Sequence, residues 1–157
     1  MDVHADLQAP CDASVLFAQV DDLSTYPQWL DLVCRAEREP GGTGSDAYQP
    51  QSSDIAWSVD LRARLGPLAR SKRLRMIRTL RDPVGHRARF ERRELDGRRH
   101  SPWVLEVEVG SRDDGSVLSM RLHYGGSLWT GGLMERALTE QIVSGRQRLL
   151  ELVATTH

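Results

Sequence analysis

The sequence lacks several features that would identify a common class of functional site. Its two cysteines, Cys11 and Cys34, have no zinc-like spacing with each other or with histidine. No apolar run approaches the roughly 18 residues of a membrane span, and the N-terminus lacks the pattern of a signal peptide. We therefore expect a cytoplasmic protein with no membrane span, no metal and no other cofactor.

Phosphate-binding loops and catalytic triads are missing as well. The glycine-rich segment 41–44 has neither the lysine nor the strand-to-helix setting of a phosphate cradle. The five histidines form no cluster, and no spacing of Asp, His and Ser suggests a triad. We therefore identify no catalytic residue, and whether the protein is an enzyme stays open. A length of 157 residues suits one domain, covering 1–157.

The C-terminal segment Gly131 to Ala154 has the pattern of one long amphipathic helix. Its apolar residues recur at three- and four-residue steps, which places them on one face. They are Leu133, Met134, Ala137, Leu138, Ile142, Leu149, Leu152 and Val153. Because no other segment is helical at that length, this face must pack on a sheet formed by the preceding chain. Gly145 lowers helix stability, and we interpret it as a sign of spare volume over the sheet.

The first third of the chain predicts a strand, two short helices and a second strand. Val3 to Ala9 alternates, Ala13 to Val20 is helical, and Leu23 to Leu30 forms a second short helix or turn. Leu32 to Glu39 is the next strand. The segment Glu39 to Asp54 is rich in Gly, Ser, Pro and Gln, which predicts a long loop.

The middle of the chain alternates in five further segments, which predicts an antiparallel meander with one covered face. A two-residue Asp114-Gly115 turn would pair Val109 with Met120. A three-residue loop at Pro83 to Gly85 would place Leu80 opposite Ala88 and Arg78 opposite Phe90. Their inward residues are Trp57, Val59, Leu61, Ala63, Leu74, Met76, Leu80, Ala88, Phe90, Trp103, Leu105, Val107, Val109, Leu118, Met120, Leu122 and Tyr124.

This order of elements, with the segment Tyr26-Pro27-Gln28-Trp29 after a short helix and Gly125-Gly126 before the last helix, resembles the START-like (SRPBCC) superfamily. The resemblance is strongest to its polyketide cyclase/dehydrase branch. It implies an α+β helix-grip fold: a curved antiparallel sheet of about seven strands around the long C-terminal helix, with two short helices after the first strand. It also implies a cavity between sheet and helix, which in relatives holds lipids, sterols, polyketides or other apolar molecules.

The inward aromatic and methionine side chains either fill the core or line such a pocket, of roughly 300–1,000 Å³. The candidate ligand-binding residues of this kind are Trp29, Trp57, Met76, Phe90, Trp103, Met120, Tyr124, Met134 and Leu138.

Arg78 and Arg92 are candidate ligand-binding residues of another kind. They are in phase with Met76 and Phe90, and the loop pairing makes them diagonal neighbours. Two unpaired like charges are costly in a dry core. The two arginines must therefore reach the cavity mouth, meet acidic residues or wait for an anionic ligand group. Either a bulge or strand end turns them outward, or they bind a carboxylate or phenolate of an amphipathic ligand. An even-numbered loop between the preceding strands would set Trp57 beside Arg78 and allow a cation–π contact.

The charge is unevenly spread along the chain. From Arg62 to Arg99, 14 basic residues stand against four acidic ones. The outward arginines either pair with Asp60, Glu91, Glu106 and Glu108 or dock an acidic partner such as an acyl carrier protein, ribosomal RNA or a membrane surface. Missing aromatic residues between them argue against single-stranded nucleic acid. His123 is expected on the wet face opposite Glu106.

Three functions compete on this basis. The leading hypothesis is binding or transport of an apolar or amphipathic small molecule, lipid or polyketide-like, in a cavity between sheet and C-terminal helix. The second is a polyketide cyclase, aromatase or dehydratase, in which Tyr124, Arg78 and Arg92 would orient the substrate chain. The third is a protein- or RNA-interaction module that uses the basic outer sheet face.

Overall fold

The computed structural model describes residues 2–40, 55–65, 67–125 and 133–155, and within these the side chains of 63–65, 68, 70, 133–135, 137, 138 and 155 are left out. The described residues do not include 41–54, which is most of the predicted loop Glu39 to Asp54. They also do not include Gly126, the second residue of the glycine pair. The elements in chain order are β1 Asp2–Ala9, α1 Ala13–Val20, a 3₁₀ helix Leu23–Gln28, β2 Val33–Arg38, β3 Ala56–Leu65, β4 Leu68–Asp82, β5 Arg87–Arg92, β6 Trp103–Arg112, β7 Gly115–Tyr124 and α2 Leu133–Thr155.

The seven strands form one antiparallel sheet in the order β1-β7-β6-β5-β4-β3-β2. Strands β2 to β7 are a meander, and β1 adds at the edge of β7. The sheet curls around α2, and α1 and the 3₁₀ helix follow β1. The predicted α+β helix-grip fold is therefore confirmed, whereas the extent of a single domain over 1–157 stays a prediction.

Period-two alternation gives the sheet one dry face. Val59, Leu74, Val107 and Leu118 come from four strands and are all buried. Because an antiparallel sheet covered on one side alternates in this way, the burial follows from the pattern. On α2, Leu149 and Val153 are buried, and Ile142 and Leu152 are partly buried against the same core. No helix in the described residues is long and apolar enough to cross a membrane.

Gly145 marks a close contact of α2 and not spare volume. A Cβ atom at this position would overlap the backbone carbonyl group of Trp29. Trp29 itself is completely buried. The interpretation of Gly145 as a sign of empty space is therefore wrong, because glycine lets the helix backbone approach the segment after the 3₁₀ helix.

The β6–β7 hairpin is shifted by two residues from its predicted register. Val109 pairs with Leu118, and Arg112 pairs with Gly115, so the turn residues are Asp113 and Asp114. Gly115 belongs to β7, where a Cβ would overlap the carbonyl oxygen of Ala9 in β1. A shift of two residues keeps every side chain on its predicted face.

The β4–β5 hairpin follows the prediction near Arg78 and departs from it at the turn. Arg78 pairs with Phe90, as predicted, and the register then shifts at Thr79. After this bulge Leu80 pairs with Arg89 and is 43% exposed. The prediction that Leu80 faces inward is therefore wrong, because a bulge moves the following residue to the other face.

The loop between these strands has four residues instead of three. Asp82 pairs with Arg87, and its carboxylate accepts hydrogen bonds from the backbone N–H groups of Val84 and Gly85 at 3.1 and 2.9 Å. The positive φ of 53° lies at His86. The unpaired bulge residue in β4 and the additional loop residue compensate for each other. The side chains of β5 therefore keep their predicted faces.

Candidate functional site

An apolar cavity of about 80 Å³ lies between the inner face of the sheet and the chain that follows α1. It is smaller than the pocket of roughly 300–1,000 Å³ expected from the sequence, and smaller than a cavity of about 150 Å³ that accepts benzene. The fifteen residues that line it are Val3, Leu23, Tyr26, Leu30, Leu32, Val33, Val59, Leu61, Leu74, Met76, Trp103, Leu105, Met120, Leu122 and Ile142.

The 3₁₀ helix forms the wall opposite the sheet. Asp22 begins it, since the Asp22 carboxylate accepts a hydrogen bond from the Ser24 backbone N–H at 2.8 Å. The Tyr26 hydroxyl donates to the Val20 carbonyl oxygen at 2.9 Å. Burial raises the pKa of Tyr26, and the charges of Asp21 and Asp22 raise it further. This phenol is therefore a fixed structural donor and a poor acid or base.

Three of the predicted ligand-binding residues line the cavity, namely Met76, Trp103 and Met120. Four others are buried elsewhere in the core and do not belong to its described lining: Trp29, Trp57, Phe90 and Tyr124. The side chains of Met134 and Leu138 lie outside the described part of the structure. The role of all these residues in ligand binding stays a prediction.

The buried aromatic residues pack against one another. The rings of Trp57 and Phe90 meet edge to face with centroids 5.6 Å apart. Those of Tyr26 and Trp29 are 5.0 Å apart. The Trp57 indole N–H also donates to the Ser24 hydroxyl at 2.9 Å, which ties β3 to the 3₁₀ helix. These contacts hold the two walls of the cavity in place.

Arg78 is half-buried and has partners within the protein. Its Nη1 donates to the Asp21 carbonyl oxygen at 2.8 Å, and its guanidinium carbon lies 5.7 Å from the centroid of the Trp57 ring. The predicted cation–π contact is therefore confirmed. Desolvation lowers the pKa of Arg78. The Asp21 carboxylate is itself bound by Arg81 Nε at 3.0 Å.

Arg92 is also held by the protein, and its side chain is only 9% exposed. Its Nε donates to Glu94 at 3.0 Å, and its Nη1 donates to the carbonyl oxygen and the hydroxyl of Ser101 at 3.3 Å. Arg92 pairs with Met76, as predicted, and neither a bulge nor a strand end turns it or Arg78 outward. Binding of a ligand anion by the two arginines stays a prediction.

Lys72 is an inward cation that sequence reasoning missed. It pairs with Leu61 in β3, and its Nζ lies 5.7 Å from the centroid of the Trp103 ring. Partial burial lowers the pKa of Lys72, Arg92 lowers it further, and Glu94 opposes both. The signal was present in the sequence, since Lys72 continues the inward phase of Leu74 by one step.

Four buried polar atoms find no hydrogen-bond partner among the described residues. They are Trp29 Nε1, Arg89 Nε, Trp103 Nε1 and Gln141 Oε1. An unsatisfied buried donor is costly and calls for a specific explanation. Of the four residues, Trp103 is the one that borders the cavity. Within the described residues, no three histidine, cysteine or carboxylate side chains form a group that could hold a metal.

Three arginines of the basic outer face pair with acids. Arg73 binds Asp60 at 2.7 Å, and Arg75 binds Glu39 at 2.9 Å. Arg89 lies 3.6 and 3.8 Å from carboxylate oxygens of Glu91 and Glu106, two of the acids that were expected to pair with outward arginines. Exposed pairs of this kind contribute little stability. Docking of an acidic partner on this face stays a prediction.

His123 lies on the wet face but has a different partner from the predicted one. Its Nδ1 is 2.9 Å from a carboxylate oxygen of Asp2, and Val104 is the residue opposite it in β6. Glu106 instead pairs with Arg121. The difference has two causes: the two-residue shift of the hairpin and the addition of β1, which places Asp2 opposite His123.

No protein-family profile matches the chain, and no curated protein matches it. Solved structures do. The protein TTHA0849 from Thermus thermophilus superimposes with a TM-score of 0.72 at 17% identity, over 99% of both chains. A START superfamily protein from Mycobacterium smegmatis gives 0.66 at 12% identity, again over 99% of both chains. The Zhui aromatase/cyclase from Streptomyces sp. R1128 gives 0.61 at 13% identity, over 98% of this chain and 93% of that one. The chain therefore has the START-like helix-grip fold that polyketide aromatase/cyclases share.

Proposed function

We propose that the protein binds an apolar or amphipathic small molecule, lipid or polyketide-like, in the cavity between the sheet and the helical elements. The observation that carries this proposal is the uniform lining of the cavity, in which none of the fifteen described residues is charged. Ligand sites are concave and mostly apolar, with few polar groups that orient the ligand. The fold of the chain, shared with START and aromatase/cyclase proteins, supports it.

The small volume means that the cavity must widen to accept such a ligand. Met76 and Met120 both belong to the lining, and methionine adapts its shape more readily than other core residues. Ile142 contributes from α2 and is only partly buried. Movement of these three side chains enlarges the cavity without breaking a described hydrogen bond. Binding then stabilises the folded state by mass action.

Native mass spectrometry of freshly purified protein tests the proposal, together with thermal unfolding in the presence of candidate lipids. We expect a co-purified apolar molecule or a ligand-dependent rise in Tm. The variant Ile142→Phe should fill part of the cavity and weaken binding by about tenfold, the effect of a few lost methylene contacts. Leu150→Phe is the matched control, because Leu150 is also partly buried on α2 but is not a lining residue. Equal losses of affinity in both variants would contradict the proposal. So would the absence of both a co-purified molecule and a rise in Tm with added lipids.

A second candidate function is cyclisation or aromatisation of a polyketide-like substrate. The similarity to an aromatase/cyclase favours it. General acid–base catalysis needs a titratable group within hydrogen-bond reach of the substrate, and the described lining has no carboxylate or imidazole. An acyl carrier protein would be the partner that delivers such a substrate as a thioester. Turnover of a poly-β-ketone thioester by the purified protein would establish this function over simple binding.

A further inference from the structure

A positive charge that has no ion-pair partner in the described structure lies beside Trp103, one of the residues that line the cavity. We call this part of the structure the Lys72 corner and define it by Lys72, Arg92, Glu94 and Trp103. Lys72 is the single lysine of the chain, and its ammonium lies over the Trp103 ring. Trp103 lines the apolar cavity, and it also borders a polar groove of about 370 Å³ that includes Arg92 and Glu94. The corner is thus the place where the apolar interior meets polar surface.

The corner contains two cations, Lys72 and Arg92, and one carboxylate, Glu94, so one cation has no ion-pair partner there. Glu94 accepts a hydrogen bond from Arg92 at 3.0 Å and another from the backbone N–H of Arg75 at 3.1 Å. Among the described residues, no carboxylate lies within ion-pair distance of Lys72. Its recorded contact is the cation–π interaction with Trp103, which holds the ammonium in place but supplies no hydrogen-bond acceptor.

The Trp103 indole adds a second unused donor. Trp103 is 3% exposed, and its Nε1–H has no hydrogen-bond partner in the described part of the chain. A buried indole N–H usually finds an acceptor. A ligand oxygen bound to this donor would lie at the edge of the same ring that has the Lys72 ammonium over it. Lys72 is not itself a lining residue, but the two unused donors at Trp103 mark the end of the cavity where a polar group of the ligand would bind.

We propose that the ligand is an amphipathic monocarboxylic acid whose apolar part occupies the cavity and whose carboxylate binds Lys72, with Trp103 as the second donor. This inference rests on the proposed function and specifies the chemical class of its ligand. One free cation matches one negative charge. A phosphate monoester would need a second cation, and Arg92 is already held by Glu94 and Ser101.

The titration of Lys72 is consistent with this geometry. Desolvation and the neighbouring Arg92 lower the pKa of Lys72, and Glu94 is the one carboxylate that raises it. A bound carboxylate adds a second negative charge, so binding should raise the pKa of Lys72. Affinity for the acid should accordingly fall as the pH rises through the pKa of Lys72, whereas affinity for an uncharged analogue should not.

A single lysine makes this inference directly testable. Reductive ¹³C-methylation keeps the charge of Lys72 and gives one lysine dimethylamine NMR signal, which Lys72→Gln identifies by its loss. Decanoate and 2-naphthoate are titrated into the protein in parallel with their methyl esters. We expect both acids to shift the Lys72 signal and raise its pKa, and the esters to bind without raising it.

The variants give the quantitative result. Lys72→Gln should weaken acid binding by about tenfold or more, the range of a charge-assisted hydrogen bond, and should change ester binding by less than about twofold. Arg62→Gln is the matched control, since Arg62 is exposed and pairs with Ser71, the residue next to Lys72. It should leave both affinities unchanged.

The outcomes separate the two proposals. Ester binding that equals acid binding, with equal losses in Lys72→Gln, would overturn the carboxylate inference and leave cavity binding intact. Failure of acids and esters alike to bind the wild-type protein would overturn both. Loss of acid binding in Arg62→Gln as large as that in Lys72→Gln would show that general charge attraction, and not the Lys72 corner, governs binding.

Discussion

The two halves of the inner sheet face differ in how they treat an inward cation. In the half that we call the packed end, Arg78 lies against Trp57 and donates to the Asp21 carbonyl oxygen, and Phe90 is completely buried beside it. At the Lys72 corner the same strand β4 presents a cation with an aromatic contact but no acceptor among the described residues. The alternation along a strand thus decides which face a side chain lies on. The neighbours of that side chain decide whether it is free to bind a ligand.

The largest expected effect concerns packing away from the cavity and at its lining. Phe90→Ala should lower the free energy of unfolding by about 3–5 kcal/mol, because Phe90 is fully buried among rings that cannot close the gap. Met120→Ala should cost about 2 kcal/mol, the lower limit for such changes, because Met120 already borders empty space. Urea unfolding of both variants measures the difference. Equal losses would show that the cavity lining is packed as tightly as the Trp57–Phe90 contact.

Gly145→Ala tests the close contact between α2 and Trp29. We expect a loss of about 1–3 kcal/mol, typical of overpacking, because the new Cβ overlaps the Trp29 carbonyl oxygen. This loss would exceed the gain of about 1 kcal/mol that alanine brings to a helix interior. Ser144→Ala, at the exposed neighbouring position, is the control and should be neutral or slightly stabilising. A stabilised Gly145→Ala would mean that α2 does not approach Trp29 so closely.

Arg78→Met separates a structural cation from a ligand-binding one. The variant loses the hydrogen bond to Asp21 and the contact with Trp57, which together contribute about 1–2 kcal/mol. Methionine keeps much of the apolar stem, so the fold should persist. The affinity for decanoate should stay unchanged. A selective loss of acid binding, with the methyl ester unaffected, would instead support the sequence-based prediction that Arg78 binds the ligand anion.

How far the sequence predicts this structure is clearest in the two hairpins. Alternation placed Val107, Met120 and Phe90 on the correct face, because a face depends only on the parity of the register. It could not choose between an Asp113-Asp114 and an Asp114-Gly115 turn, since both preserve parity. The choice depends on Gly115 meeting Ala9 of β1, a contact more than 100 residues away in sequence.

The candidate site shows the same limit. The sequence identified inward aromatic residues, but it could not tell Trp103, which lines the cavity, from Trp57, which packs against Phe90. That distinction depends on how closely α2 and the 3₁₀ helix approach the sheet. Lys72 could have been found, because the alternation that places Leu74 and Met76 inward reaches it without interruption. It was missed because most other basic residues of the same segment face outward.

The smallest effect, and the one that most directly compares the two inward cations, is that of Lys72→Met on stability without ligand. Because the pKa of Lys72 is lowered in the folded state, folding disfavours the charged ammonium. That unfavourable contribution is complete at pH values below the folded pKa. It disappears as the pH rises through the folded pKa towards the unfolded value of about 10.4. Lys72→Met should therefore be more stable than the wild type at pH 7, by no more than about 0.5 kcal/mol for a partly exposed position.

Urea unfolding of Lys72→Met and wild type from pH 7 to pH 10 provides the measurement, with Arg62→Met as the control for added apolar surface. The difference in free energy of unfolding between Lys72→Met and wild type should shrink as the pH rises. The difference for Arg62→Met should not, because arginine stays charged over this range. A variant less stable than the wild type at pH 7 would indicate that the cation–π contact with Trp103 outweighs the desolvation of Lys72 in the free protein, so that Lys72 stabilises the fold as Arg78 does. The distinction between the two ends of β4 would then be lost, because a lysine that stabilises the empty protein is not a cation held in reserve for a ligand.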